Sequence, residues 1–133
     1  VKRQVSYFVH KDELFNWVNE ESPKIEAVFH MGACSSTTER DADYLMDNNV
    51  QYTRKLWDYC TDKNIPYIYA SSAATYGALE SNFVDSHAEV ETLRPINKYG
   101  YSKQMFDEWA VRQKKTPPFW AGLKFFNVHF GPP

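Results

Sequence analysis

Short apolar runs alternate along the chain with longer stretches in which apolar residues return at helical spacing. The run AVFH (27–30) follows the polar stretch ESPKIE and halts at Gly32. YIYA (67–70) follows Asn64-Ile65-Pro66 and runs into small residues, and WAGLKFFNV (120–128) follows Thr116-Pro117-Pro118. Apolar runs of this length, bounded by breakers, predict three buried strands. Between them, residues 43–63 set Leu45, Val50, Tyr52, Leu56, Trp57, Tyr59 and Cys60 at mixed helical spacings. Residues 99–115 do the same with Met105, Phe106, Trp109, Ala110 and Val111, and end in Arg112, Lys114 and Lys115, which suit a helix C-terminus. A shorter helix over 12–19 carries Leu14, Phe15 and Val18 on one side.

Helix, strand, helix, strand, long loop, helix, strand is an α/β order and predicts a parallel sheet with right-handed crossovers. Ligands in such sheets bind beyond the carboxyl ends of the strands, which makes three short segments the ones to inspect. After the first strand comes HMGACSSTTE, where Gly32 and Ala33 allow close approach to the backbone and Ser35, Ser36, Thr37 and Thr38 supply hydroxyls. A loop leading into a helix cap is the plainer reading of that stretch. After the second comes ASSAATYG, five of whose eight residues are Ala or Ser, leaving room for a flat, bulky group and offering the Ser72 hydroxyl. After the third comes FNVHFGPP, where Asn127 must find partners for its amide.

Three tyrosines are followed by a lysine four residues on: Tyr7 with Lys11, Tyr59 with Lys63, and Tyr99 with Lys103. Spacing alone separates none of them. Tyr59 and Lys63 suit the exit of a helix whose Leu56 and Trp57 pack inward, and Tyr7 and Lys11 have no strand end behind them. Tyr99 opens a helix after the turn-rich loop that follows ASSAATYG, and one helical turn sets Lys103 on its face, toward Ser72. A free tyrosine hydroxyl titrates near 10 and is a poor base, but a neighbouring ammonium favours the phenolate. Such a tyrosine can exchange a proton with a substrate hydroxyl while a nicotinamide takes or returns hydride, with Ser72 holding the same oxygen.

Composition removes several alternatives. The 133 residues suffice for one domain with a real core. A formal charge of −2 gives no electrostatic case for nucleic acid or an anionic membrane surface. No apolar run reaches a membrane span, and VKRQVSYFVHKDE has no signal-peptide core. Cys34 and Cys60 form no CxxC or metal spacing, which fits two reduced cysteines in a cytoplasmic protein, and the four histidines show no i,i+4 pairing, so no metal site is expected. The start at Val1 and the end at Gly131-Pro132-Pro133 fit a fragment of a longer chain.

ASSAATYG, YGYSK and FNV followed by GP, in that order and spacing, resemble the extended short-chain dehydrogenases/reductases, the group of nucleotide-sugar epimerases and dehydratases. HMGACSSTTE, DNNVQ (47–51) and WAGLKFFNV resemble the branch acting on ADP-heptose in lipopolysaccharide core biosynthesis, more than the UDP-glucose branch. The resemblance covers 25–132 and more weakly 12–18. It implies a Rossmann-like doubly wound parallel sheet with helices on both faces, of which residues 1–133 form the central part, the first βαβ unit and the substrate domain lying outside. It implies an epimerase with NADP (or NAD) as catalytic cofactor, an ADP-heptose substrate, no nucleic-acid or membrane partner, and a homo-oligomeric full-length protein.

Residue by residue, the resemblance makes Tyr99 the acid/base, Ser72 its hydroxyl partner at the substrate, and Lys103 a catalytic and cofactor-contacting lysine. Met31, Gly32, Ala33, Cys34, Ser35, Asn48 and Val128 match positions lining NADP, and Asn127 matches a substrate contact. Three features depart from the family pattern. The five glycines never approach GxGxxG spacing, the chain ends where the family places a second acid/base lysine after GP, and Val128-His129-Phe130-Gly131 has one residue more than usual between Val and Gly. A UDP-sugar 4-epimerase or dTDP-sugar 4,6-dehydratase uses the same trio, and a non-catalytic dinucleotide-sensing scaffold is the rival outside enzymology.

Overall fold

The computed structural model describes residues 4–32, 40–78 and 83–126. A single 3-10 turn leads into helix α1 (Leu14–Glu21), which ends at Ser22 in the left-handed region, just before Pro23. Strand β1 is Val28–His30. A continuous helical rod follows: α2 (Ala42–Leu45), a π-helical segment Met46–Gln51, and α3 (Tyr52–Lys63). Asp41 caps the start of this rod, its carboxylate accepting from the Tyr44 amide at 3.1 Å. Asn64, left-handed at φ 57°, stops α3 before Pro66 and strand β2 (Tyr67–Ser72). Helix α4 (Lys98–Arg112) precedes strand β3 (Trp120–Phe125).

The strands form one parallel sheet in the order β1-β2-β3, with Tyr67 opposite both Val28 and Trp120, and Tyr69 opposite both His30 and Gly122. The expected α/β order and parallel sheet are therefore present. Two helices run differently from their periodicity. The 43–63 helix begins one residue early and holds a π segment, and α4 stops at Arg112, so Lys114 and Lys115 lie beyond its end.

Pleat alternation sends Tyr67 and Tyr69 to the face covered by α3 and α4. Trp57 of α3 is the centre of that layer, 1% exposed, with edge-on ring contacts to Tyr67, Phe106 and Trp120. Tyr69 meets Phe106 of α4 at 4.6 Å between ring centroids. Gly122 is what lets Tyr69 cross beneath β3, because a Cβ there would overlap the Tyr69 hydroxyl. The opposite sheet face carries Phe29, Leu123 and Phe125, all exposed. Among the described residues the helices thus cover one face of the sheet.

Candidate functional site

The first turn of α4 is built to lie against the end of β2. Asn97 caps the helix by accepting from the Gly100 amide at 2.7 Å. Gly100 faces the Ala74 carbonyl oxygen so closely that an added Cβ would sit 2.9 Å from it and 3.0 Å from Pro95 Cβ. Beyond β2 the chain turns through Ala73–Tyr76, started by the Ser72 hydroxyl accepting from the Ala74 amide at 3.0 Å. The Ser72 hydroxyl proton has no acceptor among the described residues, so it remains available to a ligand oxygen.

Lys103, one turn after Tyr99, is 5% exposed and donates from Nζ to the Ala70 carbonyl oxygen at 2.8 Å. Its ammonium therefore lies two residues from Ser72 along the strand. Tyr99 is 9% exposed, and its hydroxyl makes no hydrogen bond among the described residues. The core tyrosines differ: Tyr67 donates to the Thr53 carbonyl and Tyr69 to the Asp107 carboxylate. The other two Tyr/Lys pairs lead elsewhere. Tyr7 is 71% exposed against Trp17, and burial pushes the Tyr59 hydroxyl upward, away from use as a base.

A second set of contacts fixes the same helix turn from the side of β1. Asn49, 1% exposed within the π segment, donates to the Ser102 hydroxyl at 2.9 Å, and Ser102 donates to the Tyr99 carbonyl at 2.7 Å. Thr53 spends its proton on the Asn49 carbonyl, so the 3.1 Å contact with His30 requires the His30 Nε2 to carry the hydrogen. Burial, and then the nearby charge of Lys103, push His30 down to about 4, so it is neutral at pH 7.

Asp107 was not singled out by sequence reasoning, though it falls on the face of Tyr99 and Lys103, between Phe106 and Ala110. Its carboxylate is 4% exposed and accepts from Tyr69, Ser71 and Lys124 at 2.8, 2.6 and 2.7 Å. Lys124 had a visible signal too, as the lone charge within WAGLKFFNV. Asn49 had none that distinguished it from Asn48.

Of the positions matched to cofactor contact, Met31 and Gly32 sit exposed at the end of β1, and a Cβ on Gly32 would meet nothing within 4 Å. Asn48 lies on the π segment, accepting from Lys11 Nζ at 3.1 Å and donating to the Tyr44 carbonyl. Ala33, Cys34, Ser35, Asn127 and Val128 lie outside the described residues. Among the described residues no group of three or more His, Cys, Asp or Glu could hold a metal ion, and no helix is long and apolar enough to cross a membrane.

Residues 8–133 match the model of the NAD dependent epimerase/dehydratase family. The ADP-L-glycero-D-manno-heptose-6-epimerase of Fusobacterium nucleatum is 57% identical over 135 residues, covering 98% of this chain and 40% of that protein. The enzyme of the same name from Nitratidesulfovibrio vulgaris is 48% identical, covering 99% of this chain and 41% of its own length. The chain spans about two fifths of the length of these curated relatives. Among solved structures, Helicobacter pylori ADP-L-glycero-D-manno-heptose-6-epimerase superposes with a TM-score of 0.74 at 28% identity, over 91% of this chain and 37% of that one. UDP-glucose 4-epimerase from Brucella ovis in complex with NAD gives 0.58 at 28% identity, over 88% of this chain and 36% of that one. The parallel sheet accords with these matches, and the chain belongs to the NAD dependent epimerase/dehydratase family.

Proposed function

We propose that this chain forms the central part of an ADP-L-glycero-D-manno-heptose 6-epimerase that uses a nicotinamide dinucleotide, NADP in preference to NAD, as a catalytic cofactor. The reading rests above all on the 2.8 Å bond from Lys103 to the Ala70 carbonyl, which holds the Tyr99 turn against the strand end bearing Ser72. The names of the relatives at 57% and 48% identity support the heptose substrate over UDP- and dTDP-sugars.

The residues present fit one end of such a cofactor. Open space beside Gly32 leaves the end of β1 accessible, and the Lys103 ammonium suits the hydroxyls of a ribose. No glycine-rich turn in this chain suits a pyrophosphate. When bound, the nicotinamide would accept hydride from C6 of the heptose and return it to the opposite face of the reoriented C6 ketone, with no net redox change. Ser72 would donate its free hydroxyl proton to the C6 oxygen and fix that oxygen at the strand end. Tyr99 would take the C6 hydroxyl proton as the C–H bond breaks and give one back on the return step. The Lys103 ammonium would stabilise negative charge developing beside it.

The test is Tyr99→Phe in the protein expressed at the full length of its relatives. Turnover of ADP-D-glycero-D-manno-heptose, followed by product NMR, should fall by about 100-fold or more, with dinucleotide affinity kept. Retained turnover would remove Tyr99 from the chemistry. Turnover of UDP-glucose or dTDP-glucose, with none of the ADP-heptose, would remove the substrate assignment.

A further inference from the structure

Lys124 lies on β3, away from the Tyr99 turn, yet its ammonium is brought into the middle of the fold. Its side chain is 18% exposed and that of its partner Asp107 5%. From Nζ it donates at 2.7 Å to Asp107 Oδ2 and at 2.7 Å to the Thr75 hydroxyl. Thr75, 0% exposed, passes its own proton to the Ser72 carbonyl oxygen at 2.8 Å. Asp107 belongs to the helix that carries Tyr99 and Lys103, two turns and one turn earlier on the same face. An unbroken set of bonds therefore runs from that helix through Asp107, Lys124 and Thr75 to the backbone of Ser72.

We infer that the Asp107–Lys124 pair and Thr75 are positioning residues, which set Ser72 at a fixed distance from Tyr99 for the epimerase reaction proposed above. Two features favour this over simple fold stabilisation. A buried ion pair contributes little net stability compared with apolar side chains of the same volume. Also, Asp107 already holds β2 directly through Tyr69 and Ser71, so the branch through Lys124 and Thr75 is not needed to attach helix to strand. What that branch adds is control of the turn just beyond the strand, where Ser72 acts. A displacement of about 1 Å between reacting groups can cost on the order of 100-fold in rate.

Thr75→Val in the full-length protein cuts the last link and leaves the ion pair in place. Its kcat should fall about tenfold or more, with KM and NADP affinity within about threefold of wild type. Hydrogen exchange in the peptide covering 72–76 should quicken while that covering 28–30 does not change. Lys124→Met should lose kcat and Lys124→Arg should restore most of it. A structural role would instead lower activity in step with the folded fraction in both. Wild-type kcat and unchanged exchange in Thr75→Val would overturn the inference. If the wild-type protein leaves ADP-heptose untouched, the epimerase reading fails, and hydrogen exchange at 72–76 alone decides whether Thr75 positions Ser72.

Discussion

At the residue scale, the chemistry that could be read in the sequence was the chemistry carried by strand ends. Ser72, Tyr99 and Lys103 are the candidates the sequence offers, because small residues, a turn-rich loop and one helical turn define where they must lie. The residues that hold them could not be picked out so easily, because their roles depend on which strands become neighbours. Lys124 meets Asp107 only because β3 lies beside β2. His30 is a similar case: it reads as an ordinary end to an apolar run, and only the fold half-buries it near Lys103 and Thr53. Its folded value of about 4 lies below the ordinary 6.5, so the unfolded chain takes up the proton first. Stability from this group is complete above about 6.5 and is lost as pH falls toward 4, by at most about 3 kcal/mol. Urea midpoints between pH 7.5 and 4 should show that decline in the full-length protein, and His30→Gln should flatten it. A variant whose decline matches the wild type would assign the proton uptake to other groups.

At the element scale, three strands and three helices were legible, since short apolar runs between breakers and 3.6-residue periodicity each survive in a single sequence. The π segment Met46–Gln51 was not, because an extra residue in a turn leaves apolar spacing that still passes for a helix. It turns Asn49 rather than Asn48 into the buried amide that meets Ser102. The approach of α4 to the turn after β2 was also hidden, although Gly100 was in view. Replacing Gly100 with Ala sets two effects against each other. Alanine gains about 1 kcal/mol of helix propensity. Its Cβ, however, would crowd the Ala74 carbonyl at 2.9 Å and Pro95 at 3.0 Å. Overpacking against backbone costs about 1–3 kcal/mol, and here the carbonyl belongs to a turn already pinned by Ser72 and Thr75. Gly100→Ala should therefore lower the melting temperature of the full-length protein by several degrees and reduce turnover further than the folded fraction accounts for. A higher melting temperature would mean that α4 can retreat from the turn at little cost.

At the scale of the whole molecule, the sheet is finished on one side. Trp57, Tyr67, Tyr69 and Phe106 form a sealed layer beneath α3 and α4, whereas Phe29, Leu123 and Phe125 stand 65%, 42% and 45% exposed on the other face. Three aromatic or aliphatic side chains on that face make an apolar patch of the kind that associates in water. The proposed site is similarly one-sided: it carries a hydroxyl, a phenol and an ammonium, and no glycine turn for a pyrophosphate. Residues 1–133 expressed alone should therefore bind the dye ANS and self-associate at micromolar concentration. They should give no turnover, and a titration with NADP should show affinity weaker than about 10 μM, because the backbone donors and helix N-terminus that usually hold the phosphates contribute nothing. Monomeric sedimentation with no dye binding would mean that the exposed face is covered in solution. Tight NADP binding by these residues alone would mean that Lys103 and the end of β1 hold far more of the cofactor than its ribose.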